Sequence, residues 1–390
     1  MGGKPTAREA QMSERVSTEE LAELSRGYDA DPSRSHSLGA RSYTDPRFLA
    51  LEREAIFYKS WQWVCHGEKL RNPGDYVVTS VQERSIVVLR NREGLLKAFY
   101  NVCKHRAHEL LQGSGRTNVL LCPYHAWSYD LDGRLRAAPH TRNLVDFDKK
   151  EICLEPVQAE AFGGFVYVNL DPQAAPLAAQ SGALGREIAA FAPDVESLTL
   201  ARRLTFDIRS NWKNVIDNFL ECYHCPVAHK DFCSLLDMES YKVTTHGRYS
   251  SHMAKASKGA NTAYSTEGAT VDDHAVWWLW PNSCLMRYPG RGNFLIMQVI
   301  PVTSERSLEI YDFYLETPEP NAQEEEAIAY VKEVLQVEDI ALVESVQRGM
   351  ATPAFESGRI VNDPSGSGKS EHAVHHFHGL VLDAYAQAVA

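Results

Sequence analysis

The sequence lacks long apolar segments and an excess of positive charge, and both absences restrict its function. No stretch approaches the roughly 18 to 20 consecutive apolar residues of a membrane span, and the first twenty residues lack the apolar segment of a secretory signal. Its 40 lysines and arginines are outnumbered by 51 aspartates and glutamates, and a net charge of −11 disfavours nucleic acid and anionic membranes. We therefore expect a cytoplasmic protein with no nucleic-acid and no membrane partner.

Cysteine is also scarce for a chain of this length. Eight cysteines among 390 residues are too few for a disulfide scaffold. Those that stand next to histidines at short spacing therefore indicate metal binding more than covalent cross-linking.

Hydrophobic patterning predicts an α+β protein with more than one domain. Short apolar runs separated by turn signals such as Asn91–Gly94 and Asp130–Gly133 predict a small antiparallel β domain over 43–165, after an N-terminal arm over 1–42. The remainder, 166–390, predicts a larger antiparallel sheet flanked by helices, one of which covers the acidic segment after 322.

The first chemical signal is a pair of mixed Cys/His motifs. Cys103-Lys104-His105 and Cys122-Pro123-Tyr124-His125 are separated by sixteen residues, so two loops can meet around one cofactor. Two thiolates and two imidazoles suit tetrahedral zinc or a [2Fe–2S] cluster with cysteines on one iron and histidines on the other. Because each loop supplies one residue of each kind, whereas zinc fingers usually pair like with like, the pattern favours the cluster.

A second signal lies in Glu221-Cys222-Tyr223-His224 and the nearby His229. On an approximate helix, at roughly 100° per residue, the two histidines project within about 140° of each other. Two histidines and one carboxylate on one face leave positions open for oxygen at ferrous iron. Glu338 and Asp339, on the late helix, are the candidates for that carboxylate.

Both signals resemble the motifs of Rieske-type non-haem iron oxygenases. NVCKHRAHELL and CPYHAWSYDLDGRL are similar to their Rieske loops, and NWKNVIDNFLECYHCPVAH with QVEDIALVESVQRGM to their catalytic motifs. The resemblance implies a Rieske [2Fe–2S] domain over 43–165 and a mononuclear iron catalytic domain of helix-grip (START-like) architecture over 166–390. It also implies Asp339 as the third iron ligand, and Asp217 as a hydrogen-bonding neighbour of the iron site.

In this family an acid at position 221 links a Rieske histidine of one subunit to an iron-ligating histidine of the next. Aspartate is commoner there, and Glu221 is similar to the branch acting on quaternary ammonium compounds such as stachydrine, glycine betaine and carnitine. The resemblance thus implies a homotrimer with Glu221 as the electron bridge, using O2 as co-substrate. The chain has no dinucleotide-binding glycine motif of its own. The resemblance therefore also implies a separate NAD(P)H-dependent reductase with a flavin and a ferredoxin-type cluster.

For the substrate, the aromatic residues of the second sheet are the main lead. Their ring faces suit a methylated ammonium, and an arginine suits a substrate carboxylate. We therefore predict hydroxylation of an N-methyl group of a betaine, with a ring hydroxylase of aromatic acids, a non-catalytic Rieske electron carrier and a zinc-stabilised binding module as alternatives. The predicted substrate contacts are Trp277, Trp278, Trp280, Tyr264, Tyr288 and Arg287.

Overall fold

A computed structural model describes residues 15–390, and residues 1–14 of the predicted arm lie outside this range. The chain divides into two compact units. The smaller unit comprises 57–180 with 195–197, and the larger unit comprises the chain up to 56, 181–194 and 198–390. Within the described range, no helix combines the length and the hydrophobicity needed to cross a membrane.

Helices and strands are numbered here in chain order. The α-helices are α1 Thr18–Leu24, α2 Arg41–Thr44, α3 Pro46–Glu52, α4 Leu177–Gln180, α5 Leu184–Phe191, α6 Trp212–Phe219, α7 Cys225–Ala228, α8 Lys230–Leu235, α9 Ala322–Tyr330, α10 Gln336–Met350 and α11 His372–Val389. Single π-turns cover Arg53–Phe57 and Val331–Leu335. Short 3-10 turns cover Gly67–Leu70, Lys149–Glu151 and Val195–Ser197. The strands are β1 Gln62–His66, β2 Asp75–Val81, β3 Arg84–Arg90, β4 Leu96–Tyr100, β5 Ser114–Arg116, β6 Leu120–Leu121, β7 Ser128–Tyr129, β8 Leu135–Ala137, β9 Pro156–Phe162, β10 Phe165–Asn169, β11 Thr199–Ile208, β12 Lys242–His246, β13 Tyr249–Ala254, β14 His274–Leu279, β15 Ser283–Arg287, β16 Asn293–Thr303 and β17 Arg306–Leu315.

The smaller unit is the antiparallel β domain that the alternating runs predict. Seven strands form one sheet in the order β1-β10-β9-β4-β3-β2-β5, and β6-β7-β8 form a second sheet. The predicted turn at Asp130–Gly133 requires its glycine, because φ is +83° there and a Cβ would approach the Phe99 ring to 2.6 Å. The apolar residues of the β6-β7-β8 sheet pack against those of β3 and β4 in one hydrophobic cluster.

The larger unit is built on a second antiparallel sheet of seven strands, in the order β11-β17-β16-β15-β14-β13-β12. Helix α6 begins where the Asn211 side chain accepts the Lys213 N–H, a normal N-cap. The π-turn Val331–Leu335 joins α9 to α10, so the late helical segment is continuous from 322 to 350. An antiparallel sheet flanked by helices is the architecture expected for this part of the chain.

The two units differ from the predicted division at the N-terminal side. Residues 43–56, expected in the Rieske domain, belong to the larger unit because Glu52 is wholly buried against Lys213 of α6. The lysine Nζ lies 2.5 Å from one Glu52 oxygen, and the Trp212 indole N–H donates to the other at 2.7 Å. The described part of the predicted arm is also held in place, since Leu38 is fully buried and His36 forms a β-bridge with Arg359.

Candidate metal centres and active site

The two Cys/His motifs form loops of nearly identical backbone geometry in the smaller unit. In each loop the cysteine carbonyl accepts the N–H of an alanine four residues later, Ala107 or Ala126, at 3.0 Å. Both alanines have a positive φ, +58° and +57°. Each cysteine N–H in turn donates to the carbonyl five residues later, at 2.9 Å for Cys103 and 2.8 Å for Cys122. Two matched turns therefore present one thiol and one imidazole each.

Burial separates the two kinds of ligand. Cys103 and Cys122 are each only 2% exposed, whereas His105 and His125 lie at the surface with their ring centroids 4.7 Å apart. The Tyr129 hydroxyl lies 3.3 Å from the Cys103 sulfur. Local desolvation, together with neighbouring His105 and Arg106, lowers the pKa of His125, which favours the neutral ring that metal ligation needs.

The spacing of these four donors fits a cluster better than a single ion. Tetrahedral zinc would bring all four donor atoms within about 4 Å of one another. Between residues 15 and 390, however, the only group of three or more such atoms found within 4.8 Å of one another is His224, His229 and Asp339. A two-iron cluster, with the buried thiolates on one iron and the exposed imidazoles on the other, spans the wider arrangement.

The second site brings three side chains to one point in the larger unit. His224 Nε2 and His229 Nε2 lie 3.1 Å apart, and Asp339 Oδ1 lies 2.9 Å from the second and 3.6 Å from the first. Three ligands about 2.1 Å from an ion, on one face of an octahedron, would lie about 3.0 Å apart. The three donors therefore fit one mononuclear metal ion, with the opposite face open.

Local structure explains how two histidines five residues apart converge. The segment is not one helix: α6 ends at Phe219, a turn carries Glu221 to His224, and His229 lies between α7 and α8. A disulfide between Cys222 and Cys225 closes the turn around His224, so for these two cysteines the expectation that they would not be cross-linked is wrong. Asp339 lies in the first turn of α10, 110 residues away along the chain.

Two carboxylates orient the histidine rings from behind. Glu221 Oε1 lies 2.5 Å from His224 Nδ1, while Glu221 Oε2 accepts the backbone N–H groups of Tyr223 and His224. Glu338 Oε2 lies 2.7 Å from His229 Nδ1. Each carboxylate accepts the Nδ1 proton and leaves Nε2 free to bind metal. The adjacent acids Glu338 and Asp339 therefore have different positions, and only Asp339 faces the ligand point.

The same contacts set the protonation of the metal-free site. Burial opposes a charge on His224, but hydrogen bonds with Asp339 and Glu221 outweigh it and raise its pKa to about 9. The pKa of His229 is also raised, because Asp339 and Glu338 outweigh the opposing effect of burial. Burial acts to raise the pKa of Asp339, but the two histidines lower it overall. The acids thus favour protonated histidine rings, and a metal ion that binds here must displace a proton from the ring nitrogen that becomes its ligand.

A cavity of about 150 Å³ opens onto the three ligands, with room for roughly ten waters and hence for a small substrate. Its charged lining is acidic, from Glu221, Glu309 and Asp339, and the lining from the described chain contains no lysine or arginine. Tyr264 and Tyr288, two of the predicted substrate contacts, do line it. Its aromatic members are Phe219, Phe232, Tyr241, Tyr264, Tyr288, Tyr311 and Tyr330.

The remaining predicted substrate contacts lie elsewhere. The indole N–H of Trp277 donates to Glu187 at 2.9 Å, on the sheet face opposite that of the cavity-lining Val276. Trp278 and Trp280 pack against Phe377 of α11. Arg287 forms a bidentate pair with Asp194, so its guanidinium is already engaged. The prediction of substrate contacts at these four positions, Trp277, Trp278, Trp280 and Arg287, does not agree with the cavity.

Asp217 is also placed differently from the expectation. Its two oxygens contact Tyr43 and His378, at 2.7 and 2.9 Å, and none of the three ligands. The neighbouring Asn218 instead brings its amide nitrogen to 3.5 Å from His224 Nε2. The sequence analysis did not identify Asn218. It follows Asp217 in α6, so its side chain projects about 100° around the helix axis from that of Asp217 and towards a different set of neighbours.

Polar groups without partners in the cavity wall were missed as well. Glu309 Oε2, the Tyr330 hydroxyl and Gln336 Oε1 are buried and make no hydrogen bond within the described chain. All three residues line the cavity. Glu309 and Gln336 lie on β17 and α10, and only the strand register and helix packing could have shown that they face the same space as the metal ligands.

Comparison with known families agrees with the geometry of both sites. Residues 60–148 match the Rieske [2Fe–2S] domain, and residues 195–387 match the catalytic domain of the ring-hydroxylating alpha subunit. The predicted fold class is confirmed, as is the prediction of a Rieske cluster, a mononuclear iron and O2.

Similar proteins with established names cover almost the whole chain. The carnitine monooxygenase oxygenase subunit of Escherichia coli K12 is 39% identical over 364 residues, which are 93% of this chain and 97% of that protein. The chloroplastic choline monooxygenase of Spinacia oleracea is 32% identical over 358 residues, 89% of this chain and 78% of that protein. Among solved structures, a quaternary ammonium Rieske monooxygenase in complex with an inhibitor matches with a TM-score of 0.85 at 35% identity, covering 91% of this chain and 97% of that one.

Proposed function

Because the chain belongs to the Rieske-type non-haem iron oxygenases, we propose that it is the oxygenase component of a multicomponent monooxygenase acting on a quaternary ammonium compound. The relatives that support this proposal are named carnitine monooxygenase and choline monooxygenase. Their shared feature is a substrate whose nitrogen carries a permanent positive charge.

The single observation that carries the substrate class is the lining of the cavity. Seven aromatic rings and three carboxylates surround the space beside the metal ligands, and no lysine or arginine of the described chain joins them. Ring faces and carboxylates attract a methylated ammonium. A betaine or choline brings a permanent positive charge into this wall, whereas an aromatic acid would bring a carboxylate and no positive charge to offset it, so the lining disfavours ring hydroxylation of such acids.

The chain's own residues prepare the reaction. When bound, the cluster carries single electrons and the mononuclear iron activates O2. His224, His229 and Asp339 would hold the iron through their three converging donor atoms. Glu221 and Glu338 hold the Nδ1 proton of each histidine, and the aromatic wall keeps water away from the reacting carbon.

The proposed chemistry is hydroxylation of a carbon bonded to the ammonium nitrogen. One oxygen atom of O2 enters a C–H bond, and the other leaves as water with two electrons and two protons supplied from outside. A hydroxymethyl ammonium then loses formaldehyde and a proton, leaving a tertiary amine, which is the N-demethylation predicted from the sequence. In a trimethylammonium substrate, hydroxylation of the chain carbon bonded to the nitrogen would instead release trimethylamine and an aldehyde.

Electron supply requires a partner and a second copy of the chain. We propose a separate NAD(P)H-dependent reductase and a homotrimer in which Glu221 connects His224 to a Rieske histidine of the neighbouring subunit. The contact of Glu221 with His224 at 2.5 Å supports the first half of that path. A cytoplasmic location stays a prediction from the sequence.

The test is turnover across a panel of substrates with NADH and a reductase of this enzyme class. Carnitine, γ-butyrobetaine, choline, glycine betaine, stachydrine and benzoate would be compared by oxygen uptake, formaldehyde release and trimethylamine release. We expect turnover only of the quaternary ammonium compounds, with formaldehyde if an N-methyl group is attacked. Turnover of benzoate alone would refute the substrate class, and failure of every C–H substrate with an intact reducible cluster would support a simple electron carrier.

A further inference from the structure

Of the three acidic residues in the cavity wall, Glu309 alone makes no contact with the histidines of the metal site. Glu309 lies on β17 between β11 and β16, on the same face of the strand as Tyr311. Glu309 is only 3% exposed, and its Oε2 atom makes no hydrogen bond to any group of residues 15–390. Because Glu309 also lines the cavity, its side chain meets the space where substrate binds.

A buried carboxyl group without a partner is costly, so the free state of this wall is unfavourable. Burial, reinforced by the negative charge of Asp339, raises the pKa of Glu309 well above its usual range. Tyr311, on the same face of β17, accepts a hydrogen bond from Gln336 at 2.7 Å and makes none with Glu309 Oε2. A positive charge placed in the cavity would supply the missing partner.

A tetraalkyl ammonium suits this position because it carries charge but donates no hydrogen bond. Elsewhere in the wall Tyr264 contacts two other tyrosines, with its ring centroid 6.0 Å from that of Tyr288 and 5.8 Å from that of Tyr330. The Tyr264 hydroxyl is tied to the carbonyl of Pro289 at 2.9 Å, which fixes its ring. Rings hold the methyl groups by contact and by their negative faces, but they also accept a neutral group of the same shape.

We propose that Glu309 is the specificity-determining residue that distinguishes a quaternary ammonium from a neutral tert-alkyl group of the same shape. This inference rests on the proposed function and deepens it, since it assigns charge selection to one side chain. Glu221 and Asp339, the other two acids of the cavity, are occupied by the histidines, so Glu309 is the carboxylate left for the substrate.

The experiment compares each ammonium substrate with its carbon isostere, for example choline with 3,3-dimethylbutan-1-ol. Inhibition constants and KM would be measured with the cluster- and iron-loaded enzyme and its reductase. Glu309→Gln removes the charge and keeps the shape, whereas Glu305→Gln removes the same charge from an exposed position in the β16–β17 turn. We expect the wild type and Glu305→Gln to prefer the cation, and Glu309→Gln to lose at least about tenfold of that preference, or about 1.4 kcal/mol.

Each outcome separates this inference from the proposed function. An undiminished preference in Glu309→Gln, with ammonium turnover intact, would overturn the role of Glu309 and leave the substrate class standing. No preference in the wild type would refute the substrate class itself. If Glu309→Gln does not fold, the pair Glu309→Asp and Glu309→Asn decides the matter: the charged variant should keep the preference and the neutral one should lose it, and equal preference would overturn the inference.

Discussion

Neighbouring acids on α10 should make very different contributions to iron binding. Asp339 Oδ1 faces His229 Nε2 at 2.9 Å, at the ligand point, whereas Glu338 Oε2 meets the far nitrogen of the same ring at 2.7 Å. Asp339→Asn removes a ligand and should abolish iron loading at this site. Glu338→Gln keeps all three ligands but loses a charged acceptor behind His229, a change that typically costs 10- to 100-fold in affinity, or about 1.4 to 2.8 kcal/mol.

The assay is an anaerobic Fe(II) titration of protein that already holds its cluster, followed by iron analysis. The visible spectrum of the cluster serves as an internal standard, because both substitutions lie in the larger unit and the cluster loops in the smaller one. Glu333→Gln, an exposed change of the same charge in the preceding π-turn, is the matched control and should bind iron as the wild type does. Equal losses in Glu338→Gln and Asp339→Asn, or no loss in either, would refute the assignment of ligand and supporting acid.

Three further predictions concern pH, stability and the cluster loops. Because the pKa of His224 is raised to about 9 in the metal-free site, its proton competes with iron below that pH. The apparent Fe(II) affinity should therefore rise by up to about tenfold per pH unit from pH 7 towards 9. An Fe(II) affinity that does not change with pH over this range would contradict this prediction. Lys213→Met removes the cationic partner of the buried Glu52 carboxylate and should lower the free energy of unfolding by about 3 to 5 kcal/mol in urea titrations. A loss below about 1 kcal/mol would show that the ion pair contributes little to stability. Ala107→Gly, at a φ of +58°, should stabilise the cluster loop by about 1 kcal/mol, seen as slower loss of cluster absorbance on heating; faster loss would count against backbone strain there.

The sequence was most informative where chemistry is local. Cys103, His105, Cys122 and His125 could be assigned from short spacings alone, because each loop closes its own turn and carries its own two ligands. The segment around His224 was less simple, since the approximate helix expected there is broken into a turn and two short helices.

Long-range placement was the part that local patterns could not determine. The choice of Asp339 over Glu338 rested on resemblance, because both lie in one helical turn and only the packing of α10 decides which of them faces the histidines. The tryptophans of β14 were chosen for their aromatic character, but Trp277 points to the face opposite Val276. Glu309 gave no usable signal, since β17 contains a second acid, Asp312, and the sequence does not reveal which space either of them faces.

The most direct test of the whole account is a single turnover of enzyme reduced in advance. With an ammonium substrate and O2 but no reductase, the wild type should form product while its cluster is reoxidised. Asp339→Asn, with an unchanged cluster spectrum, should do neither at a comparable rate. Product formation by Asp339→Asn, or cluster reoxidation without product in fully iron-loaded wild-type enzyme, would contradict the claim that the cluster supplies electrons to an iron held by His224, His229 and Asp339.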